Sequence, residues 1–147
     1  MKKALTLILT IPLFFMSCTE QKGNIVFHKS HEPNRQNIPF SDAVETNDLL
    51  FLAGQIGKNH KLGVLVEGGI KAETKQAIEN IQAVLQHHQL ELDNVVKCTV
   101  ILSDINDFKA FNEVYTKYFT KKPVRTTFAA ANLAANARIE IDVIACK

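Results

Sequence analysis

The sequence predicts a two-layer α/β fold in which a six-stranded mixed sheet carries two helices on one of its faces. Three observations predict this class. Apolar segments rich in β-branched residues recur along the chain, two amphipathic segments with helical period lie between them, and the resulting order is strands, helix, strand, helix, strand, strand. The 147 residues are enough for one domain with a sizeable core.

The first three strands precede the first helix. Ile25 to His28 is a short predicted strand, and residues 31–38 are a polar loop. Phe40 to Thr46 has mixed polarity and is predicted to be the second strand. Leu49 to Ala53 is a continuous apolar run that ends at a glycine, which is typical of a buried strand.

A turn and a long amphipathic helix follow. Residues 54–57 are predicted to turn the chain, and the glycine-rich segment 58–69 to form a loop or hairpin. Residues 70–88 are the clearest helix, because apolar residues recur with helical period while lysine, glutamate and glutamine occupy the opposite face. The inward face contains Ile70, Thr74, Ala77, Ile78, Ile81, Val84 and Leu85.

The rest of the chain adds three strands and the second helix. Val95 to Leu102 is rich in β-branched residues and is predicted to be a strand. Residues 104–107 supply N-cap chemistry for the second helix, whose aromatic stripe is predicted to pack in the core, and Pro123 prevents its continuation. Arg125 to Ala130 and Arg138 to Ala145 are the last two strands, the second with one packed and one partly polar face.

Such a two-layer fold leaves one face of the sheet without a covering layer. Apolar side chains on that face need a partner, because large exposed apolar patches are uncommon on monomeric proteins. The sequence therefore predicts self-association of several copies through their sheet faces.

Composition and charge exclude several classes of function. A formal net charge of +2 is too small to indicate nucleic acid binding, and no RNA- or DNA-binding motif is present. Cys98 and Cys146 lack the spacing of a metal site or a CxxC motif, and they are predicted to be buried thiols, with a disulfide as the alternative after export. The five histidines form no ligand pattern, so no metal site is predicted.

The N-terminus is predicted to be a bacterial lipoprotein signal. A lysine pair precedes an apolar run too short to span a bilayer, and a small residue stands directly before Cys18, which would be lipidated. Residues 1–17 are then the signal peptide, residues 18–30 a polar tether and first strand, and residues 31–147 the folded domain. The protein is expected to be exported and anchored by acyl chains to a bacterial membrane, facing the periplasm or the cell surface. An ordinary secretory signal is the alternative.

Two charged residues near the C-terminus are the main candidates for chemistry. Arg125 follows a proline at the start of an extended segment, and a guanidinium grips a carboxylate through two parallel hydrogen bonds. Glu140 lies in an otherwise buried strand, and a carboxylate a strand away can orient or deprotonate a water molecule. Together they suggest a site that holds an organic acid and adds water to it. The structural alternatives are a salt bridge of Arg125 at an interface, and pairing of Glu140 with Arg125 or Arg138.

Six segments, in order from about Ile38 to the C-terminus, carry a family resemblance. They are Pro39–Val44, Leu52–Ile56, Val95–Phe108, Asn112–Tyr115, Pro123–Arg125 and Ile139–Ala145. This set resembles the Rid/YjgF family, the reactive-intermediate (enamine/imine) deaminases. The resemblance implies a chorismate-mutase-like fold of the bacillar type, a homotrimer with three ligand clefts between subunits, and no bound cofactor.

The resemblance also implies a reaction and a set of site residues. The family hydrolyses enamines and imines of amino acids, such as 2-aminoacrylate and 2-iminopropionate, to 2-oxo acids and ammonia. Arg125 matches the arginine that binds the substrate carboxylate, and Glu140 matches the glutamate near the attacking water. Gly54 and Asn112 match a glycine of the site loop and an asparagine of the pocket.

Two other positions of the expected pocket are Thr127 and Phe40. Thr127 keeps the small hydrogen-bonding side chain that the family has two residues after the arginine. Phe40 stands where active members commonly have tyrosine, so the ring is kept and its hydroxyl is lost. A non-catalytic trimer that binds small carboxylates or 2-oxo acids is therefore the alternative to a deaminase.

Overall fold

The computed structural model describes residues 23–147. The predicted signal peptide and Cys18 lie outside the described residues. Within residues 23–147, no helix is both long enough and apolar enough to cross a bilayer.

The described residues form nine strands and two α-helices. Their order is β1 (Ile25–His28), β2 (Ala43–Thr46), β3 (Leu49–Leu52), β4 (Gln55–Ile56), β5 (Lys58–Asn59), β6 (Val64–Leu65), α1 (Gly69–His87), β7 (Val95–Leu102), α2 (Phe108–Tyr118), β8 (Val124–Ala129) and β9 (Ile139–Cys146). Short 3-10 turns cover Pro33–Arg35, Leu92–Asn94, Ile105–Asp107 and Ala134–Asn136.

The main sheet is mixed, as predicted. Its strand order is β1-β2-β3-β9-β7-β8, in which β7 and β8 are parallel and the other neighbours are antiparallel. The α/β class with two helices and a mixed sheet is thus confirmed. The segment 58–69 contains the β5–β6 hairpin, which confirms the loop or hairpin predicted there.

The sheet has a seventh strand that the sequence did not indicate. Gln55 and Ile56 were expected to belong to a turn, but they form β4 and pair with Ile141 and Glu140 of β9. The pairing has a physical reason, since Gln55 is 1% exposed and backbone groups buried there need hydrogen-bonding partners.

The core lies between the sheet and the helical layer. Along β9 every second residue from Ile139 is buried, which confirms the predicted alternation. All seven residues predicted for the inward face of α1 are buried, and in α2 the aromatic residues Phe111 and Tyr115 are buried as well. Asp104 accepts a hydrogen bond from the backbone N–H of Asn106, so it caps the 3-10 turn that leads into α2.

The other face of the sheet presents an apolar row. Phe27, Val44, Phe51 and Ile144 are cross-strand neighbours on β1, β2, β3 and β9. Phe27 is 69% exposed and Phe51 is 38% exposed, so the row has no covering layer within the described chain. Self-association through this face stays a prediction.

Cys98 and Cys146 are both free thiols. Cys98 is buried as predicted, and burial raises its pKa to about 11. Cys146 is only partly buried, since it ends the last strand.

The expectation that the histidines do not cluster is wrong. Four of the five come together, with ring-centroid distances of 4.5 Å for His28 and His88, 5.0 Å for His31 and His87, and 5.3 Å for His87 and His88. The cause is tertiary, because the end of β1 lies beside the C-terminal end of α1.

Candidate active site

Arg125 lies on β8, the edge strand of the sheet, and its side chain reaches α2. One terminal nitrogen donates a hydrogen bond to Oδ1 of Asn112 at 2.9 Å. The guanidinium carbon lies 4.6 Å from the ring centroid of Tyr115, 5.1 Å from that of Phe111 and 5.6 Å from that of Phe108. Aromatic faces attract cations, so these rings and the amide fix the orientation of the guanidinium.

No acidic side chain of residues 23–147 forms an ion pair with Arg125. The residue borders a cavity of about 370 Å³ that Asn112, Tyr115 and Pro123 also line. Two residues along β8, the Thr127 hydroxyl is buried and has no hydrogen-bonding partner in the described chain. The cation therefore keeps donors that are free to bind a carboxylate.

Glu140 lies on β9 and is partly buried. Burial raises the pKa of its carboxyl above the ordinary value, and the negative charge of Asp142 adds to this effect. Within the described residues Glu140 has no ion-pair partner. Arg138, one of the two arginines considered as its partner, pairs instead with Asp107 at 2.7 Å. Neither structural pairing considered for Glu140 is therefore formed within the chain.

Gly54 permits the position of the Glu140 carboxyl group. A Cβ atom placed on Gly54 would stand 2.0 Å from Oε1 of Glu140, which is far inside the contact distance of real atoms. Both residues line a cavity of about 460 Å³, together with Phe40. The structure thus brings together three of the predicted site residues.

Within one chain, the predicted residues form two groups. Arg125 is aligned with Cys98 of β7, which is buried under the helices, whereas Glu140 is aligned with Ile101 on the opposite side of the pleat. The strands β8 and β9 are also separated by β7. The register therefore places these two side chains on opposite faces of the sheet within one chain, and a site that they share between subunits stays a prediction.

Comparison with known proteins relates this architecture to a family. The family described as Endoribonuclease L-PSP matches residues 30–147. A crystal structure from Yersinia pestis, described as the protein YyfA of the conserved Rid protein family, matches with a TM-score of 0.78 and 32% identity, covering 84% of this chain and all of that chain (100%). The chain belongs to the Rid/YjgF (L-PSP) family.

Two other members of the Rid/YjgF family have names with chemical content. The 2-iminobutanoate/2-iminopropanoate deaminase of Homo sapiens is 42% identical over 108 residues, which cover 73% of this chain and 79% of that protein. The crystal structure of E. coli TdcF with bound serine has a TM-score of 0.70 and 27% identity, and the match covers 75% of this chain and 89% of that chain.

In this Rid/YjgF member, the larger cavity also contains polar residues that sequence reasoning missed. Arg35 donates hydrogen bonds to Oδ1 of Asp42 at 2.6 Å, to Nε2 of His60 at 2.6 Å and to Oε1 of Gln55 at 3.3 Å. Arg35, Gln55 and His60 all line the cavity. The sequence signal for this group was Arg35 in a loop seven residues before Asp42. That spacing does not distinguish a buried ion pair from two solvated charges.

The electrostatics of this group fix the state of His60. Burial lowers the pKa of His60 to about 4, and the neighbouring Arg35 charge contributes in the same direction. The imidazole is therefore neutral near pH 7, and its Nε2 accepts the hydrogen bond from Arg35. Arg35, whose charge is paired with Asp42, lines the same cavity as Glu140.

Proposed function

We propose that this protein hydrolyses 2-enamino and 2-imino acids, such as 2-aminoacrylate and 2-iminopropionate, to 2-oxo acids and ammonia, and that it acts as a homotrimer. The observation that carries the proposal is the state of Arg125. Its guanidinium is oriented by Asn112 and three aromatic rings, and it has no carboxylate partner in the described chain. A 2-imino acid supplies that carboxylate.

A second copy of the chain completes the site in this proposal. Arg125 and Asn112 border one cavity, and Phe40, Gly54 and Glu140 line another. A cleft between neighbouring copies would bring the cation of one copy opposite the carboxylate of the next. The uncovered apolar row on the sheet offers a surface for this association.

The proposed mechanism needs only positioning and one proton acceptor. Arg125 holds the substrate carboxylate, so that the imine carbon faces a water molecule beside Glu140. Glu140 accepts a proton as the water oxygen bonds to that carbon and the C=N electron pair moves to nitrogen, and Glu140 then returns the proton to the nitrogen. In the carbinolamine the hydroxyl gives its proton to Glu140, the amine nitrogen receives it, and the C–N bond breaks to give the 2-oxo acid and ammonia. An enamine first takes a proton at carbon and becomes the imine.

The comparisons support this reaction class. The human relative is named a deaminase of 2-iminobutanoate and 2-iminopropanoate. The TdcF structure contains serine, an amino acid with the carboxylate and nitrogen that an imino acid also has. Both substrates implied by the human name are small, in keeping with a cavity of about 460 Å³.

The deciding experiment follows 2-iminopropionate that an amino-acid oxidase generates in situ. The purified protein is expected to accelerate its conversion to pyruvate, and Arg125→Ala to abolish the acceleration because the carboxylate loses its partner. Arg138→Ala is the matched control, since it removes an arginine whose side chain pairs with Asp107 away from either cavity. Equal rates for Arg125→Ala and Arg138→Ala would remove the basis of the proposal.

A binding module without turnover is the second candidate, and Phe40 favours it. The ring lines the cavity of Glu140 and is 55% exposed, but it carries no hydroxyl. If the protein binds 2-oxo acids without accelerating imine hydrolysis, and Phe40→Tyr introduces turnover, the binding module is correct. Turnover by the unmodified protein decides for the deaminase.

We also propose that the protein is exported and anchored by lipid at Cys18, from the sequence pattern of the N-terminus alone. Mass spectrometry of the processed protein is expected to show an acyl-modified Cys18 at its N-terminus, and Cys18→Ala to move the protein from the membrane fraction to the soluble fraction. An unmodified Cys18 in a soluble protein would refute the anchor without affecting the proposed reaction.

A further inference from the structure

A cluster of potential metal ligands lies away from both cavities. His28 ends β1, Glu45 lies on β2, and His88 follows the last residue of α1. One ligand atom from each residue lies within 4.8 Å of the other two. Two of these atoms, Nε2 of His28 and Oε2 of Glu45, are 3.3 Å apart.

We propose that His28, Glu45 and His88 bind one divalent transition-metal ion of the zinc class. Two imidazoles and one carboxylate are a ligand set that zinc accepts, with a fourth position left for water. Metal–ligand bonds of 2.0–2.1 Å in a tetrahedron separate neighbouring ligand atoms by about 3.4 Å. The His28–Glu45 pair already has nearly that separation, and the ligand atom of His88 lies within 4.8 Å of both.

The contacts around the three residues leave the ligand atoms available. Within residues 23–147 the ring of His88 makes no hydrogen bond, and the ring of His28 hydrogen-bonds only with Glu45. Glu45 also pairs through Oε1 with Nζ of Lys147, which leaves Oε2 directed at His28. The side chains of His28 and Glu45 are 28% and 26% exposed, so an ion can reach them from solvent.

A purely structural role explains the cluster less well. A partly exposed histidine–glutamate pair contributes little to stability, and it gives no reason for the ring centroids of His28 and His88 to lie 4.5 Å apart. His31 and His87 stack beside this pair, so four imidazoles meet at one place on the surface. An ion at this place would link the β1–β2 hairpin to the C-terminal end of α1, and it would stabilise the folded state in proportion to its occupancy.

Calorimetric titration of the metal-free protein with zinc chloride tests the proposal. One zinc ion per chain is expected to bind, and His28→Gln and His88→Ala are each expected to weaken binding about tenfold or more. His60→Ala is the matched control, because it removes the one histidine that is not among these four imidazoles and is expected to leave zinc affinity unchanged. No saturable zinc binding, or equal affinity in His88→Ala and the unmodified protein, would overturn the proposal.

Two more measurements separate ligand loss from misfolding. Zinc is expected to raise the unfolding temperature of the unmodified protein but not that of His88→Ala, while both have similar unfolding temperatures in a chelator. Lys147→Ala should strengthen zinc binding, because it removes the cation that competes for the Glu45 carboxylate. Zinc binding that Lys147→Ala weakens would contradict the assigned role of Glu45.

Discussion

Replacing Gly54 with alanine tests whether the position of the Glu140 carboxyl group controls the reaction. The new Cβ atom would stand 2.0 Å from Oε1, 2.9 Å from Cδ and 3.0 Å from Cγ of Glu140. Real Cβ atoms come no closer than 3.0 Å to such neighbours, so Oε1 must move by about 1 Å or more. A displacement of that size at a reacting group costs about 100-fold in rate.

We therefore expect Gly54→Ala to lower kcat for 2-iminopropionate about 100-fold, equivalent to about 2.7 kcal/mol of activation free energy. KM should change little, because in the proposed site the substrate carboxylate is bound by Arg125 and not by Glu140. The unfolding temperature should also change little, since the displaced atoms are the end of a flexible side chain.

A double variant distinguishes displacement of Glu140 from other effects of the alanine. Once Glu140→Ala has removed the carboxyl group, the methyl group at position 54 has nothing to displace. Gly54→Ala should then have no further effect on kcat, so the two substitutions should be strongly non-additive. The reasoning is refuted if Gly54→Ala keeps the unmodified rate, or if it slows Glu140→Ala by the same factor as it slows the parent.

Two further predictions concern charge. In the proposed mechanism the carboxylate form of Glu140 is the proton acceptor, so activity should fall as pH decreases through its raised pKa. Asp142→Asn removes one cause of that raised pKa and should move the acid limb of the kcat profile to lower pH. An unshifted limb would exclude Glu140 as the titrating group. Arg35→Ala leaves the Asp42 side chain, which is 3% exposed, without its ion-pair partner. Denaturant unfolding should show that the free energy of unfolding falls by about 3 kcal/mol or more, and a fall below about 1 kcal/mol would contradict this account.

Elements whose signal is local could be predicted from the sequence. The alternation from Ile139 to Ala145 identified a strand with one buried face, because a period of two is set by the backbone itself. The helical period from Ile70 to Leu85 identified α1 for the corresponding reason. Glu140 was found as a charged residue in a strand whose other face is buried, a signal that needs no partner.

Features that depend on register and strand order could not be predicted in the same way. Local sequence patterns do not reveal that β7 lies between β8 and β9, so they could not show that Arg125 and Glu140 lie on separate strands with a third between them. His28 and His88 come together only because the sheet places the end of β1 beside the end of α1. Gln55 lacked any strand pattern, because a two-residue strand has no period to detect.

The central position of β9 has a consequence for how the site forms during folding. This strand pairs with β3 through Leu49 and Cys146 and with β4 through Ile56 and Glu140, so these two partners are nearly the whole domain away in sequence. Such pairings close a long loop and form slowly compared with local helices and hairpins. Glu140 consequently reaches its cavity only when this long-range closure occurs, and we expect no partly folded intermediate to have hydrolytic activity.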